Sequence, residues 1–145
     1  MRYFSILTLL FFACTSSNTP EGVLREFVIK RFTGKIDRDA IEKYTGGELK
    51  EEIDSMDEEE FNLYTSIGFL QKGKLSISHK RCEASKCYIT YILTYNTMEG
   101  EKKVFQTDTK KIAEVQSLDN LWRITKITHL KTFHESKAEI KTIEN

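Results

Sequence analysis

Residues 88–95, Tyr-Ile-Thr-Tyr-Ile-Leu-Thr-Tyr, carry aromatic, β-branched and leucine side chains and no charge. Such side chains pack well on a half-buried pleated surface and lose rotamer freedom in a helix, so the segment predicts a strand. Side chains alternate across a strand, which puts Ile89, Tyr91, Leu93 and Tyr95 on one face and Tyr88 on the other. The first set is placed to fill a core. Aromatic rings beyond what a core needs are free to line a ligand pocket or a partner surface.

The pattern recurs on both sides of this stretch. Leu75-Ser-Ile77-Ser-His79 alternates, Val104 to Val115 is a long segment of mixed polar and apolar residues, and Leu121 to Phe133 alternates again, so four strands are predicted. Their connections, Glu83 to Lys86, Met98 to Glu101 and Ser117 to Asn120, are short enough for antiparallel hairpins.

The residues before Gly68 have a different period. Thr19-Pro20 is a helix start, Thr as N-cap and Pro at the first helical position. Val23, Leu24, Phe27, Val28 and Phe32 then recur at helical spacing, one apolar stripe that must pack on something. Asp37 caps a second, shorter helix bearing Ala40, Ile41 and Tyr44, and Gly46-Gly47 ends it. Glu48 to Asp54 presents Leu49 and Ile53 as a third segment. Ser55-Met56-Asp57-Glu58 has a capping-box pattern opening a fourth helix through about Ile67. The acidic run Asp57 to Glu60 falls on its first turn, where it complements the helix dipole without any metal. Helices first and a meander of strands afterwards give the α+β class, N-terminal helices packed on a curved four-stranded antiparallel sheet.

The first residues fix an address. Arg2 is a short positive region, Phe4 to Phe12 are apolar apart from Ser5 and Thr8, and the run stops at Cys14 before the polar string Thr15 to Thr19. A spanning helix needs roughly 20 apolar residues, so this run is a signal peptide. Leu10-Phe11-Phe12-Ala13-Cys14 resembles the lipobox of bacterial lipoproteins, with Phe11 in place of the usual Leu. That resemblance implies a diacylglycerol on the Cys14 thiol and cleavage before it. One acyl chain anchors only marginally, and two or three hold a domain stably. Residues 1–13 are then the signal peptide, 14–19 the lipidated cysteine and tether, 20–134 one α+β domain, and 135–145 a charged tail with too little apolar content to pack.

The opening helix in "TPEGVLREFVIKRF", the short helices after it and the long strands ending in "DNLWRITKI" resemble the cystatin-like cone of the nuclear transport factor 2-like superfamily. More narrowly, the chain is similar to small bacterial lipoproteins of unknown function that carry such a domain after the lipidated cysteine. The resemblance implies a sheet curled around the first helix with a pocket at its open end. It implies no single activity, because members bind apolar small molecules, isomerise or dehydrate them, or merely pair through the sheet.

Composition removes one class of partner. The chain has 22 Lys and Arg against 22 Asp and Glu, and loss of Arg2 tips the mature chain slightly acidic, so nothing favours nucleic acid. With Cys14 lipidated, Cys82 and Cys87 remain, and an oxidising compartment favours their pairing across a hairpin. A zinc site lacks two further ligands at short spacing, and redox catalysis favours two intervening residues where there are four.

For catalysis the candidates are His79, His129 and His134. His79 is in phase with Leu75 and Ile77. His129 shares its phase with Leu121 and Ile127, whereas Trp122, Ile124 and Leu130 occupy the other, so its facing stays open. His134 lies beyond the last strand, exposed. None has a paired acid at a motif-like distance, and no nucleophile elbow or phosphate loop is present.

The expectation is therefore a lipid-anchored envelope protein, a non-catalytic module binding an envelope protein or a small apolar ligand, with Tyr91, Tyr95, His79 and Trp122 as candidate ligand residues. No cofactor is implied, and a homodimer through the outer sheet face is compatible with the apolar residues there. The alternative is a small-pocket isomerase or dehydratase with His79 or His129 as base. Thr15 follows the cysteine where an inner-membrane retention signal has Asp, which favours the outer membrane, facing the periplasm, in a Gram-negative cell.

Overall fold

The computed structural model describes residues 18–32, 36–65 and 70–136. The signal peptide, Cys14, residues 15–17 of the tether and the tail from 137 lie outside the described residues. Four helices, α1 (Pro20–Phe32), α2 (Arg38–Glu42), α3 (Gly47–Ser55) and α4 (Glu58–Thr65), precede four strands, β1 (Leu70–Glu83), β2 (Lys86–Glu99), β3 (Lys102–Leu118) and β4 (Leu121–Ser136). The strands form one antiparallel open sheet in the order β1-β2-β3-β4, the meander that short hairpin connections impose. None of the described helices is long and apolar enough to cross a membrane.

The helices start where their polar caps place them. The Thr19 hydroxyl accepts from Gly22 N at 3.0 Å, and the Asp37 carboxylate accepts from Ala40 N at 2.7 Å, each satisfying a donor that the first turn leaves free. The capping box of α4 sits two residues later than the Ser55 pattern predicts. Asp57 Oδ1 accepts from Glu60 N at 2.8 Å while Glu60 Oε2 accepts from Asp57 N at 3.0 Å. The Ser55 hydroxyl instead donates to the Glu52 carbonyl at the end of α3.

One core joins the layers. Val23, Leu24, Phe27 and Val28 of α1 pack with Ile41, Leu49, Ile53 and Phe61 of the short helices against Ile89, Tyr91, Leu93, Ala113, Val115 and Ile124 of the sheet. Each large apolar side chain withdrawn from water stabilises by about 1.5–3 kcal/mol, the term that holds such short helices in place. The α2–α3 connection also bonds to the sheet edge: Ile124 N donates to the Tyr44 carbonyl at 2.8 Å and Gly46 N to the Ile124 carbonyl at 3.0 Å. Part of the β4 edge is thereby covered. At the β1 edge, Lys80 pairs with Glu21 of α1.

Five register shifts interrupt the described strand pairs, and three of them decide which way the candidate histidines face. Ser78 is the extra residue between the Ile77–Tyr91 and His79–Thr90 pairs. Thr125 and Leu130 are extra residues in β4, against Glu114/Val115 and Lys110/Lys111. A bulge moves every later residue of its strand to the opposite face. The strand also runs past residue 134 to Ser136, so His134 belongs to β4, where it pairs with Thr107.

Candidate functional site

Cys82 and Cys87 are paired residues of β1 and β2 joined by a disulfide, with Cα atoms 4.0 Å apart. The connection is tighter than four residues, because strand pairing continues to Glu83 and Lys86 and leaves Ala84-Ser85 as the turn, Ala84 at φ 49°. Cys87 is buried in the core face and Cys82 is exposed, a structural staple at one end of the sheet.

The helix-facing side of the sheet has two halves. Next to the disulfide its rows are apolar: Cys87, Val115 and Ile124, then Ile89, Ala113 and Ile127. Further along, the rows become Tyr91, Lys111 and His129, then Leu93, Thr109 and Thr132, then Tyr95, Thr107 and His134. Hydroxyl, amine and imidazole groups here occupy the side that a core normally claims; Thr107 and Thr109 are buried, whereas His129 and His134 are exposed, and polar groups taken from water need partners. Some have them. Thr107 Oγ1 lies 3.1 Å from His134 Nδ1, and Thr132 Oγ1 lies 3.0 Å from His129 Nε2.

Arg31, in the last turn of α1, reaches over this half. Its guanidinium lies 4.0 Å from the Tyr64 ring centroid and donates to the Tyr64 carbonyl at 2.7 Å, but its Nε is buried with no acceptor. The hydroxyl of Thr109, a residue 4% exposed, is equally without a partner. Burial, and secondly the charge of Arg31, lower the Lys111 ammonium below its ordinary value. Burial pushes the Tyr91 and Tyr64 phenols up, so both are neutral at pH 7.

Of the candidate residues, Tyr91 (2% exposed) and the partly buried Tyr95 lie on this polar half. His79 does not. The Ser78 bulge, held by the bond from Ser78 Oγ to the Thr90 carbonyl at 3.2 Å, turns His79 to the outer face. There it lines a depression of about 390 Å³ with Arg81, Tyr88, Thr90 and Ile112. Trp122 lies at the disulfide end of the sheet, away from the polar half, beside a groove of about 230 Å³ that includes Asn18, Val23, Tyr44 and Leu121. His129 faces the helix side, because the Thr125 bulge brings the two phases of β4 onto one face. Arg31, Thr107, Thr109, Lys111 and Thr132 were not singled out by the sequence. Threonines and a lysine in phase with Tyr91 and Tyr95 were the available signal, obscured by the ambivalence of Thr, which suits either side of a sheet.

No family model and no curated protein matches the chain. A solved structure does: a SEC-C motif containing protein from Rhodopseudomonas palustris, determined in solution, superposes with a TM-score of 0.60 at 14% identity, over 80% of this chain and 82% of that one. At that identity the likeness concerns the fold alone.

Proposed function

We propose that this chain is a lipid-anchored envelope protein whose domain, a cone of the nuclear transport factor 2-like kind, binds a ligand or partner without catalysis. The observation that carries the attachment is the run Phe4 to Ala13 followed by Cys14, too short to span and ending in a lipobox-like sequence. Geometry supports it. Asn18 is bonded to the β3–β4 turn, so at most about 14 Å of chain separates Cys14 from that end of the domain. The polar half lies away from it, since Val115 to Thr107 spans roughly 26 Å of β3. An anchor at Cys14 therefore leaves the polar half directed away from the bilayer, toward soluble ligands or envelope partners.

The absence of catalysis is supported by the histidines' surroundings: His129 and His134 are engaged with threonine hydroxyls, and no carboxylate bonds to either among the described residues. The isomerase or dehydratase reading keeps His129 alone, on the strength of its place beside Lys111. Labelled palmitate tests the attachment. Wild type is expected to take up label and fractionate with membranes, and Cys14→Ser to do neither. Equal labelling, or equal membrane retention of the variant, overturns the proposal.

A further inference from the structure

We infer that the polar half of the helix-facing sheet surface binds a small organic anion, with its carboxylate or phosphate group lodged between Arg31, Lys111 and Thr109. This rests on the reading of that surface as the ligand site and names the chemistry of what enters it.

Lys111 differs from the other lysines in being partly buried without a bonded partner: among the described residues Lys43, Lys74, Lys110 and Lys131 form no ion pair either but are exposed, and Lys103 donates to Gln106. Lys50, Lys80, Lys86 and Lys126 each have a carboxylate partner, in Glu42 and Asp54, Glu21, Glu114 and Glu48 respectively. These are exposed or nearly exposed side chains, for which pairing matters least. Lys111 is partly buried on the helix side, where a bare charge costs most, and among the described residues no carboxylate pairs with it. Arg31 is in the same position: among the described residues its partners are the Tyr64 carbonyl and the rings of Tyr64 and Phe27. The Glu52 carboxylate influences Tyr64 but forms no ion pair with either cation.

The groups left unsatisfied here are donors. Arg31 Nε and Thr109 Oγ1 are buried without a partner, and the Lys111 ammonium has none among the described residues. Arg Nε–H and an ammonium only donate, and a hydroxyl can donate. Thr109 stands two residues from Lys111 on the same face of β3, roughly 7 Å along the strand. Donors without acceptors around two like charges complement a group with several acceptor oxygens and negative charge. A neutral ligand would leave the two cations uncompensated. Tyr95, partly buried on the adjacent strand, supplies aromatic surface for the organic part, over a floor that the buried Tyr91 and Leu93 make apolar.

The test is an amide chemical-shift titration of ¹⁵N-labelled full-length protein in detergent, with benzoate, its neutral isostere benzamide, and inorganic phosphate, at matched ionic strength. Benzoate and phosphate are expected to give saturable shifts at Arg31, Thr109 and Lys111. Lys111→Met should weaken both at least tenfold, and Lys126→Met should leave them unchanged. Lys111→Gln, which keeps a polar side chain, should lose binding as well, separating charge from packing. Benzamide shifting the same amides as strongly as benzoate overturns the anion and leaves the site. Benzoate shifts that survive in Lys111→Met also overturn it. Silence from all three probes overturns both the anion and the assignment of ligand binding to this surface.

Discussion

Lys111 on β3 and Arg31 on α1 face the same layer between sheet and helix, near enough that the guanidinium charge adds to burial in lowering the lysine's affinity for its proton. Two like charges in one partly buried region oppose folding unless something else holds them. Under the anion-binding proposal, the arrangement exchanges stability for the ability to attract a ligand.

Replacing Lys111 by Met is therefore expected to stabilise the unliganded protein, by about 1 kcal/mol at neutral pH. The folded-state value of Lys111 lies below 10.5, so between the two values the unfolded chain binds more protons and stability rises with pH. The destabilisation is full below the lowered folded-state value and fades as pH climbs through that window. The advantage of the variant should accordingly shrink toward about pH 10. Above 10.0 the buried Tyr91, whose phenol is held up, works in the opposite sense, because its stabilisation is lost as pH rises through its folded-state value. Urea midpoints of both proteins across the range check this; a variant less stable than wild type at neutral pH contradicts it.

Ala84 occupies the left-handed region at φ 49° in the β1–β2 turn, a conformation that costs an alanine about 1–2 kcal/mol and glycine little. Ala84→Gly is expected to raise stability by roughly 0.5–1 kcal/mol after the entropy of glycine is subtracted. Thermal unfolding decides it, and a lower midpoint tells against the turn geometry.

The disulfide closes a short loop, and removing it with Cys82→Ala and Cys87→Ala together should cost about 2 kcal/mol in the chain-entropy model. A fall in melting temperature of roughly 5–10 °C is the expected reading. Calorimetry under oxidising conditions measures it. No change would mean that hairpin and core already hold these strands in the unfolded ensemble.

Trp122, the chain's sole tryptophan, donates its backbone N–H to Asn18 Oδ1 at 3.3 Å. Four residues back is Cys14, so on a membrane the indole lies near the headgroups. Energy transfer from Trp122 to a dansyl-labelled lipid should be efficient for lipidated protein on vesicles and absent for Cys14→Ser. Weak transfer from protein shown to be lipidated and vesicle-bound rules out the proposed orientation.

The hairpin meander, the Thr19 and Asp37 caps and the buried phase of Ile89, Tyr91 and Leu93 were legible in the sequence because each follows from a local preference or a strict period of two. The facing of His79 and His129 was not. A bulge adds one residue and leaves little trace in composition: Ser78 looks like any polar residue of an alternating strand, and Thr125 like a residue of either face. The cap of α4 was misplaced because Ser55 and Asp57 are both good caps with a glutamate three residues on, Glu58 and Glu60, and the reciprocal pair forms at Asp57 and Glu60. The polar half of the inner face was hidden for a different reason. It draws Arg31 from a helix and Lys111 from a strand eighty positions away, a juxtaposition that only the packed layers create.

Intact mass measurement of protein extracted from its native membranes tests the attachment most directly. The expected species begins at Cys14 and carries a diacylglyceryl group on that residue. An unmodified chain still beginning at Met1, recovered from the soluble fraction, contradicts it.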